Sequence, residues 1–361
     1  MIVLNVLLVQ PNFPIPTKSK NHHCFLPVGL LKIAQYHREK GDKVKLVNGN
    51  QKTKRFIPNE IKITSLFTYW ADYVKDCVKF YKQTYPDAKI IVGGIYASLM
   101  PKHCKEHTGC DEVIVGIIKE AEKYKPAYDL VDVDYQIMHT SRGCVRKCKF
   151  CGTWKIEPEF IYKDSIINEI CSNKIIFYDN NILANPKIKN ILEELSKAKW
   201  NGKVVYSECQ CGIDGRLLNP ELAKLFKQAR LINPRIAWDH SYKQRKEIKK
   251  QLSLLFDAGY NPKDTYIFMI YNFDISYKEM LKKLKQCKKW GVQIADCRYR
   301  PLTQTFDNYN PHSRNQSNND YYIHPIWNDK QVRLFRKRVR EQNICIRHGF
   351  KEYNKNLERP N

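Results

Sequence analysis

Apolar positions along the first third of the chain follow two rhythms. Short apolar runs at Ile2–Gln10, Val44–Val47, Ile61–Phe67, Lys89–Val92 and Glu112–Val115 have the length and β-branched content of strands. Between them, Val28–Lys40 places Leu30, Leu31, Ala34 and His37 at helical spacing and stops at Gly41, and Tyr69–Tyr85 and Ala97–Lys105 read as further helices. Strands alternating with helices predict a parallel sheet of Rossmann/flavodoxin-like winding over residues 1–125, with a ligand crevice at the strand ends.

After an acidic linker at Asp129–Gln136 the alternation resumes. Strands are predicted at Ile137–Ser141, Lys174–Asp179, Lys203–Cys209, Arg235–Trp238, Thr265–Tyr271 and Val292–Cys297. Helices are predicted at Lys163–Cys171, Pro186–Ala198, Pro220–Gln228, Tyr242–Phe256 and Tyr277–Trp290. Asn219 and Ser276 stand where N-caps belong, and Gly259 and Gly291 where helices end. Six strand–helix repeats over 130–300 predict a partial (β/α)6, TIM-like barrel, a fold that carries its chemistry at the carboxyl ends of the strands.

The periodic strands stop at Pro301. A polar loop over Asp307–Asp320 leads to the aromatic run Tyr321–Trp327 and a helix at Asp329–Gln342 carrying Arg333, Arg336, Lys337, Arg338 and Arg340. This 301–361 extension either grips a polyanion with its arginines or docks Val332, Leu334, Phe335 and Val339 on the barrel and leaves the arginines in water.

Composition narrows the class. Lys and Arg number 62 against 37 Asp and Glu, an excess of 62 − 37 = 25 positive charges. That excess favours contact with nucleic acid, although charges spread over solvated helix faces give the same count. Thirteen cysteines without the even spacing of a disulfide framework fit a reducing cytoplasm and metal chemistry. The start of the chain lacks a basic lead-in and a cleavage site, so it reads as a strand and not as a signal peptide, and no apolar run approaches the roughly 20 residues of a membrane span.

Three cysteines are organised differently from the rest. Cys144, Cys148 and Cys151 have the spacing Cys-x-x-x-Cys-x-x-Cys, just past the first barrel strand. Thiolate sulfur suits iron–sulfur clusters or zinc, but a closed tetrahedral zinc site needs four ligands where this loop offers three. Three thiols on an exposed loop, or a zinc knuckle completed from elsewhere, are the bland alternatives. His103 and His107, with Cys104 between them and Cys110 beyond, also have a zinc-like spacing, for which a solvated helix end is the competing account.

With Phe150 before the third cysteine and Thr140-Ser141-Arg142-Gly143 before the first, the loop resembles the radical S-adenosylmethionine (radical SAM) superfamily, in its subset with an N-terminal cobalamin-binding-type domain. The resemblance implies a 4Fe-4S cluster on Cys144, Cys148 and Cys151, with SAM chelating the fourth iron. Reductive cleavage of SAM to a 5'-deoxyadenosyl radical would follow, with an external electron donor of flavodoxin or ferredoxin type. It further implies SAM contacts from Phe150, from Asp179, Asn180 and Asn181 after the second strand, and from Asp239 after the fourth, each an equally good partner in a structural ion pair or hydrogen bond. Cys209, Cys211, Arg298 and Arg300 close the third and sixth strands and are candidates for substrate contact; buried inert thiols are the default for the cysteines.

Pro27-Val28-Gly29-Leu30-Leu31, Gly41-Asp42-Lys43-Val44 and Ile91-Val92-Gly93-Gly94 are similar to the cobalamin-binding domain, with Gly93 and Gly94 the implied contacts. There are departures. No Asp-x-His-x-x-Gly motif is present, His22 and His23 stand alone in the Pro-rich loop, Asn48–Glu60 shows no crossover helix, and Gly116-Ile117-Ile118-Lys119-Glu120 replaces the expected acidic glycine element. Three functions stay open: a cobalamin-dependent methyltransferase, a cobalamin-free radical SAM enzyme modifying tRNA, other RNA or DNA, and a non-enzymatic metal-containing module that binds nucleic acid.

Overall fold

The computed structural model describes residues 3–15 and 26–354, so His22 and His23 lie outside the described residues. Contacts divide the chain into two compact units. One comprises Met1–Ile137, Arg146–Glu159 and Pro301–Asp307, the other Met138–Val145, Phe160–Arg300 and Asn308–Asn361.

The first unit runs β1 (Asn5–Gln10), α1 (Val28–Glu39), β2 (Lys43–Asn48), β3 (Glu60–Ser65), α2 (Ala71–Thr84), β4 (Lys89–Gly94), α3 (Ile95–Leu99), α4 (Pro101–Thr108), β5 (Glu112–Val113) and α5 (Lys119–Glu122). Its sheet has the order β2-β1-β3-β4-β5 and every ladder is parallel. The reversal of strand order falls between β1 and β3, as in flavodoxin-type winding. Because helices cover both faces, β1 is buried on both: Leu7 and Val9 pack with Ile61, Ile63, Val74 and Val78, while Val6 and Leu8 meet Leu30 and Ala34. Full burial of Leu7 and Leu8 contributes about 1.5–3 kcal/mol each.

The helix expected at Ala97–Lys105 is two helices. Pro101 lacks an N–H and disfavours helical backbone at the residue before it, and Met100 accordingly sits at φ −138°, ψ 58° between α3 and α4.

At the boundary between the units comes β6 (Gln136–Met138), followed by β7 (Ser141–Arg142), α6 (Thr153–Ile156), β8 (Ile161–Tyr162) and β9 (Lys174–Phe177). There follow α7 (Ile188–Lys197), β10 (Lys199–Trp200), β11 (Lys203–Val204), β12 (Tyr206–Cys209), α8 (Pro220–Gln228), β13 (Leu231–Ile232), β14 (Arg235–Ala237), α9 (Arg245–Asp257), β15 (Tyr266–Tyr271), α10 (Tyr277–Trp290), β16 (Gln293–Arg298) and α11 (Asp329–His348). Strands β6-β9-β12-β13 form one sheet and β14-β15-β16 another, with a parallel bridge at Ile213 and Ile236 between them. The ladders β9–β12, β12–β13, β14–β15 and β15–β16 are all parallel. Leu192, Leu195, Phe226, Leu255, Ile267, Met269 and Met280 belong to one core between strands and helices.

Two details depart from the sequence pattern, and one choice it left open is settled. No α-helix forms over Lys163–Cys171, where only Ile167–Glu169 makes a 3-10 turn. The Lys163 N–H is drawn instead to Thr140 O (2.9 Å), and the Ser165 hydroxyl donates to Glu194 (2.6 Å). The strand expected at Lys203–Cys209 divides: β11 pairs back on β10 while β12 joins the parallel sheet. In the tail, Val332, Phe335 and Val339 dock on the core, whereas Arg336, Lys337, Arg338 and Arg340 are exposed. Asn343 seals the last strand by accepting from Ile294 N (2.8 Å) and donating to Ile294 O (2.7 Å).

Candidate functional site

The cysteine loop leaves the carboxyl end of β6 under tight control. Asp179, fully buried two residues past β9, accepts at Oδ1 from Thr140 Oγ1 (2.6 Å), Ser141 N (2.7 Å), Ser141 Oγ (2.9 Å) and Thr140 N (3.0 Å). Burial pushes its carboxyl above the ordinary range, and these donors oppose the shift. Asn185 holds the other side of the strand end, donating from Nδ2 to Thr140 O (3.0 Å) and Lys163 O (3.1 Å). Gly143 then turns the chain through φ +76°, a conformation that costs glycine little and a side-chain-bearing residue much more.

Beyond that turn Cys144, Cys148 and Cys151 are all half-buried and outside any disulfide. Cys144 lies in the second unit, and Cys148 and Cys151 lie in the Arg146–Glu159 segment of the first. Within that segment Cys151 N donates to Cys148 O (3.1 Å), Trp154 Nε1 donates to the same carbonyl (3.3 Å), and Thr153 N donates to Cys151 Sγ (3.5 Å). An N–H aimed at sulfur stabilises the thiolate form that a metal ligand must take. Gly152 follows the third cysteine where a Cβ would come within 3.2 Å of Leu99 and 3.4 Å of Leu302. Among the described residues no three His, Cys, Asp or Glu side chains gather as a single-ion site. An iron–sulfur cluster makes no such demand, since it spreads its thiolates over separate metal atoms. As a donor set, three reduced thiols with one bonded by a backbone N–H fit that group.

The other strand ends divide into groups already bonded and groups still available. Asn181 is 3% exposed and its Oδ1 has no hydrogen-bond partner among the described residues, while Asn180 is half-buried. A buried acceptor without a donor is costly and marks a place where a ligand's N–H would be favoured. Asp239 follows β14 by two residues and accepts from Ile270 N (3.3 Å). Burial raises its carboxyl, and Lys283 is foremost among the groups that oppose this.

Several expected contacts are occupied otherwise. The Asp179 carboxylate is taken up by Thr140 and Ser141. Cys209 is fully buried in the helix-side core; the strand ends there, so Cys211 does not share its face and is exposed. Arg298 is 7% exposed, with its guanidinium 4.5 Å from the Tyr309 ring and 4.9 Å from that of Tyr321. Arg300 is half-buried and donates to Arg298 O (3.2 Å). His103 bonds Tyr96 (2.7 Å) and His107 bonds Asp72 (2.8 Å), so both rings already have partners.

In the first unit Gly94 adopts φ +101°, and a Cβ there would stand 2.2 Å from Ser65 O, so this glycine is dictated by the close approach of β3 and β4. Gly93, at the same strand end, meets nothing nearer than Ile114 Cβ at 3.8 Å. A cavity of about 640 Å³ opens past β1 and β2, lined among others by Gln10, Asn12, Phe13, Asn48, Gln51 and Asp132.

The sequence reading missed two charged groups. Lys283 is fully buried on α10, donating to Trp238 O (2.5 Å) and His240 O (3.1 Å), and burial, opposed first by Asp239, lowers its pKa to about 8. Its position three residues after Met280 and four before Cys287, on the apolar face, was the available signal. Arg235, 3% exposed, is ion-paired with Glu208 inside the sheet.

No protein-family model matches the chain, and no curated protein matches it by sequence. Among solved structures it resembles the radical S-adenosylmethionine methyltransferase TsrM from Kitasatospora setae, solved with cobalamin and a 4Fe-4S cluster bound. The two share 13% identity and a TM-score of 0.66, over 84% of this chain and 77% of that one. The chain therefore has the α/β fold of that structure, a Rossmann-like sheet followed by a parallel, barrel-type core.

Proposed function

We propose that the protein is a radical SAM enzyme whose cluster is held by Cys144, Cys148 and Cys151, with methyl transfer as its reaction. The observation that supports this is the position of the three-cysteine loop: it follows the first strand of a parallel core whose fold resembles that of a radical SAM methyltransferase. A cluster held there, reduced by an external donor, would supply one electron to the SAM sulfonium, giving methionine and a 5'-deoxyadenosyl radical able to take a hydrogen atom from substrate.

The chain's own share is binding and orientation. Cys148 and Cys151 are held by the bonds around Thr153 and Trp154. Asn181 Oδ1, buried and without a partner among the described residues, suits the ammonium of SAM. Asp239, whose carboxyl is raised by burial against the opposing charge of Lys283, suits a hydroxyl or ammonium of the same ligand. Gly93 and Gly94 keep the end of β4 clear of side chains, which suits a corrinoid against the first unit. The exposed arginines of α11 favour a polyanionic substrate and keep nucleic-acid modification as the second reading. No helix among the described residues is long and apolar enough to cross a membrane.

The test is anaerobic reconstitution with iron and sulfide, followed by SAM and dithionite. The expected result is cluster absorbance and 5'-deoxyadenosine, both lost in Cys148→Ala. Zinc retention without deoxyadenosine would refute the proposal. Corrinoid absorbance retained through gel filtration separates the cobalamin-dependent reaction from the cobalamin-free one.

A further inference from the structure

We infer that Asp179 and Asn185 form a polar clamp that sets the geometry of the cysteine loop and thereby the retention of its metal cluster. The inference rests on reading the loop cysteines as cluster ligands and adds a role for two residues outside the loop.

Thr140 and Ser141 stand four and three residues before Cys144, where the chain leaves β6. At an ordinary strand end their N–H groups would face water and their torsions would be free. Here Thr140 is fixed at three atoms: its N–H and hydroxyl donate to Asp179 (3.0 and 2.6 Å), and its carbonyl accepts from Asn185 Nδ2 (3.0 Å) and Lys163 N (2.9 Å). Ser141 is fixed by its N–H (2.7 Å) and its hydroxyl (2.9 Å) on the same carboxylate oxygen. Asp179 is 0% and Asn185 1% exposed, so water is excluded as a substitute acceptor or donor.

The clamp leaves few soft torsions between β6 and the first cysteine, and the glycine turn at Gly143 supplies the change of direction. Such outer groups act on a metal through its ligands: they hold the ligand where it binds without moving, and their loss raises the entropic cost of gathering the thiolates. Asp179 is therefore a positioning residue, not a ligand contact.

The experiment uses full-length protein reconstituted anaerobically with iron and sulfide, with iron release to a ferrous chelator followed over time. Asp179→Ala and Asn185→Ala are expected to release iron about 10- to 100-fold faster than the parent. Asp179→Asn keeps an acceptor oxygen for the hydroxyls and should fall between. The low-temperature EPR signal of the reduced cluster should broaden in the two alanine variants as the loop samples more than one arrangement. Lys189→Gln, in an exposed ion pair with Glu221, is the control and should match the parent. Far-UV circular dichroism and urea midpoints of the apo proteins separate loop effects from unfolding. If Asp179→Ala does not fold, Asn185→Ala alone decides. Parent-like release and EPR in folded Asn185→Ala would overturn the clamp while leaving the cluster intact. A parent protein that takes up no iron would overturn the reading of the cysteines themselves.

Discussion

Asp179 and Asp239 occupy equivalent places, each two residues beyond a parallel strand, yet they are built for opposite ends. Asp179 is inaccessible and receives two N–H and two O–H donors from one neighbouring segment. Asp239 receives one backbone N–H and feels the charge of the buried Lys283 on α10. The first carboxylate is consumed by the fold. The second keeps lone pairs to offer. Position at a strand end thus marks where chemistry is carried, and the count of donors already satisfied tells whether a given group is free to carry it.

The largest break in this comparison is Asp179→Ala. Removing the carboxylate strands four buried donors, and the second unit should lose about 3–5 kcal/mol, read as a lower urea midpoint.

Lys283→Met tests the other side through pH. The native lysine loses its proton near pH 8, whereas the unfolded lysine keeps it to about 10.5. Between those values the unfolded state binds the extra proton, so this group makes the parent more stable as pH rises, by roughly 3 kcal/mol across the window. The parent-minus-variant difference in unfolding free energy should rise from pH 7 to pH 10.5 by about that amount; a flat difference would show that Lys283 is not desolvated.

Asp239→Asn should weaken SAM binding about tenfold, measured by equilibrium dialysis with the reconstituted protein, whereas Asp179→Asn should leave SAM binding near that of the parent. The smallest effect is expected from Thr140→Val. It deletes one hydroxyl donor of the four and should cost about 1 kcal/mol, visible only as a modest shift in urea midpoint.

Much of the architecture was legible because it is local. α8 and α10 fall on their predicted bounds, since Asn219 with Pro220 and Ser276 with Gly291 are start and stop signals within one turn of the ends. The cysteine spacing was legible for the same reason. What escaped was set across distance. Asp179 reads as a ligand group until its donors at positions 140 and 141, 39 and 38 residues away, are seen. Arg298 looks like a barrel-mouth cation, yet the rings beside it come from the tail at Tyr309 and Tyr321. The missing helix at Lys163–Cys171 had acceptable propensity, and it lost to the pull of Thr140 and Glu194 on its first turn. Propensity is a weak prior when tertiary partners compete for the same backbone.

The two hydrogen bonds between Asn343 and Ile294 have a consequence for handling the protein. β16 ends its sheet, and a bare outer strand invites pairing with another molecule. With its carboxamide, α11 supplies a false next strand and closes that invitation. Trimming the chain ahead of Asp329 would thus yield a sticky protein, prone to precipitate whatever its active site can do.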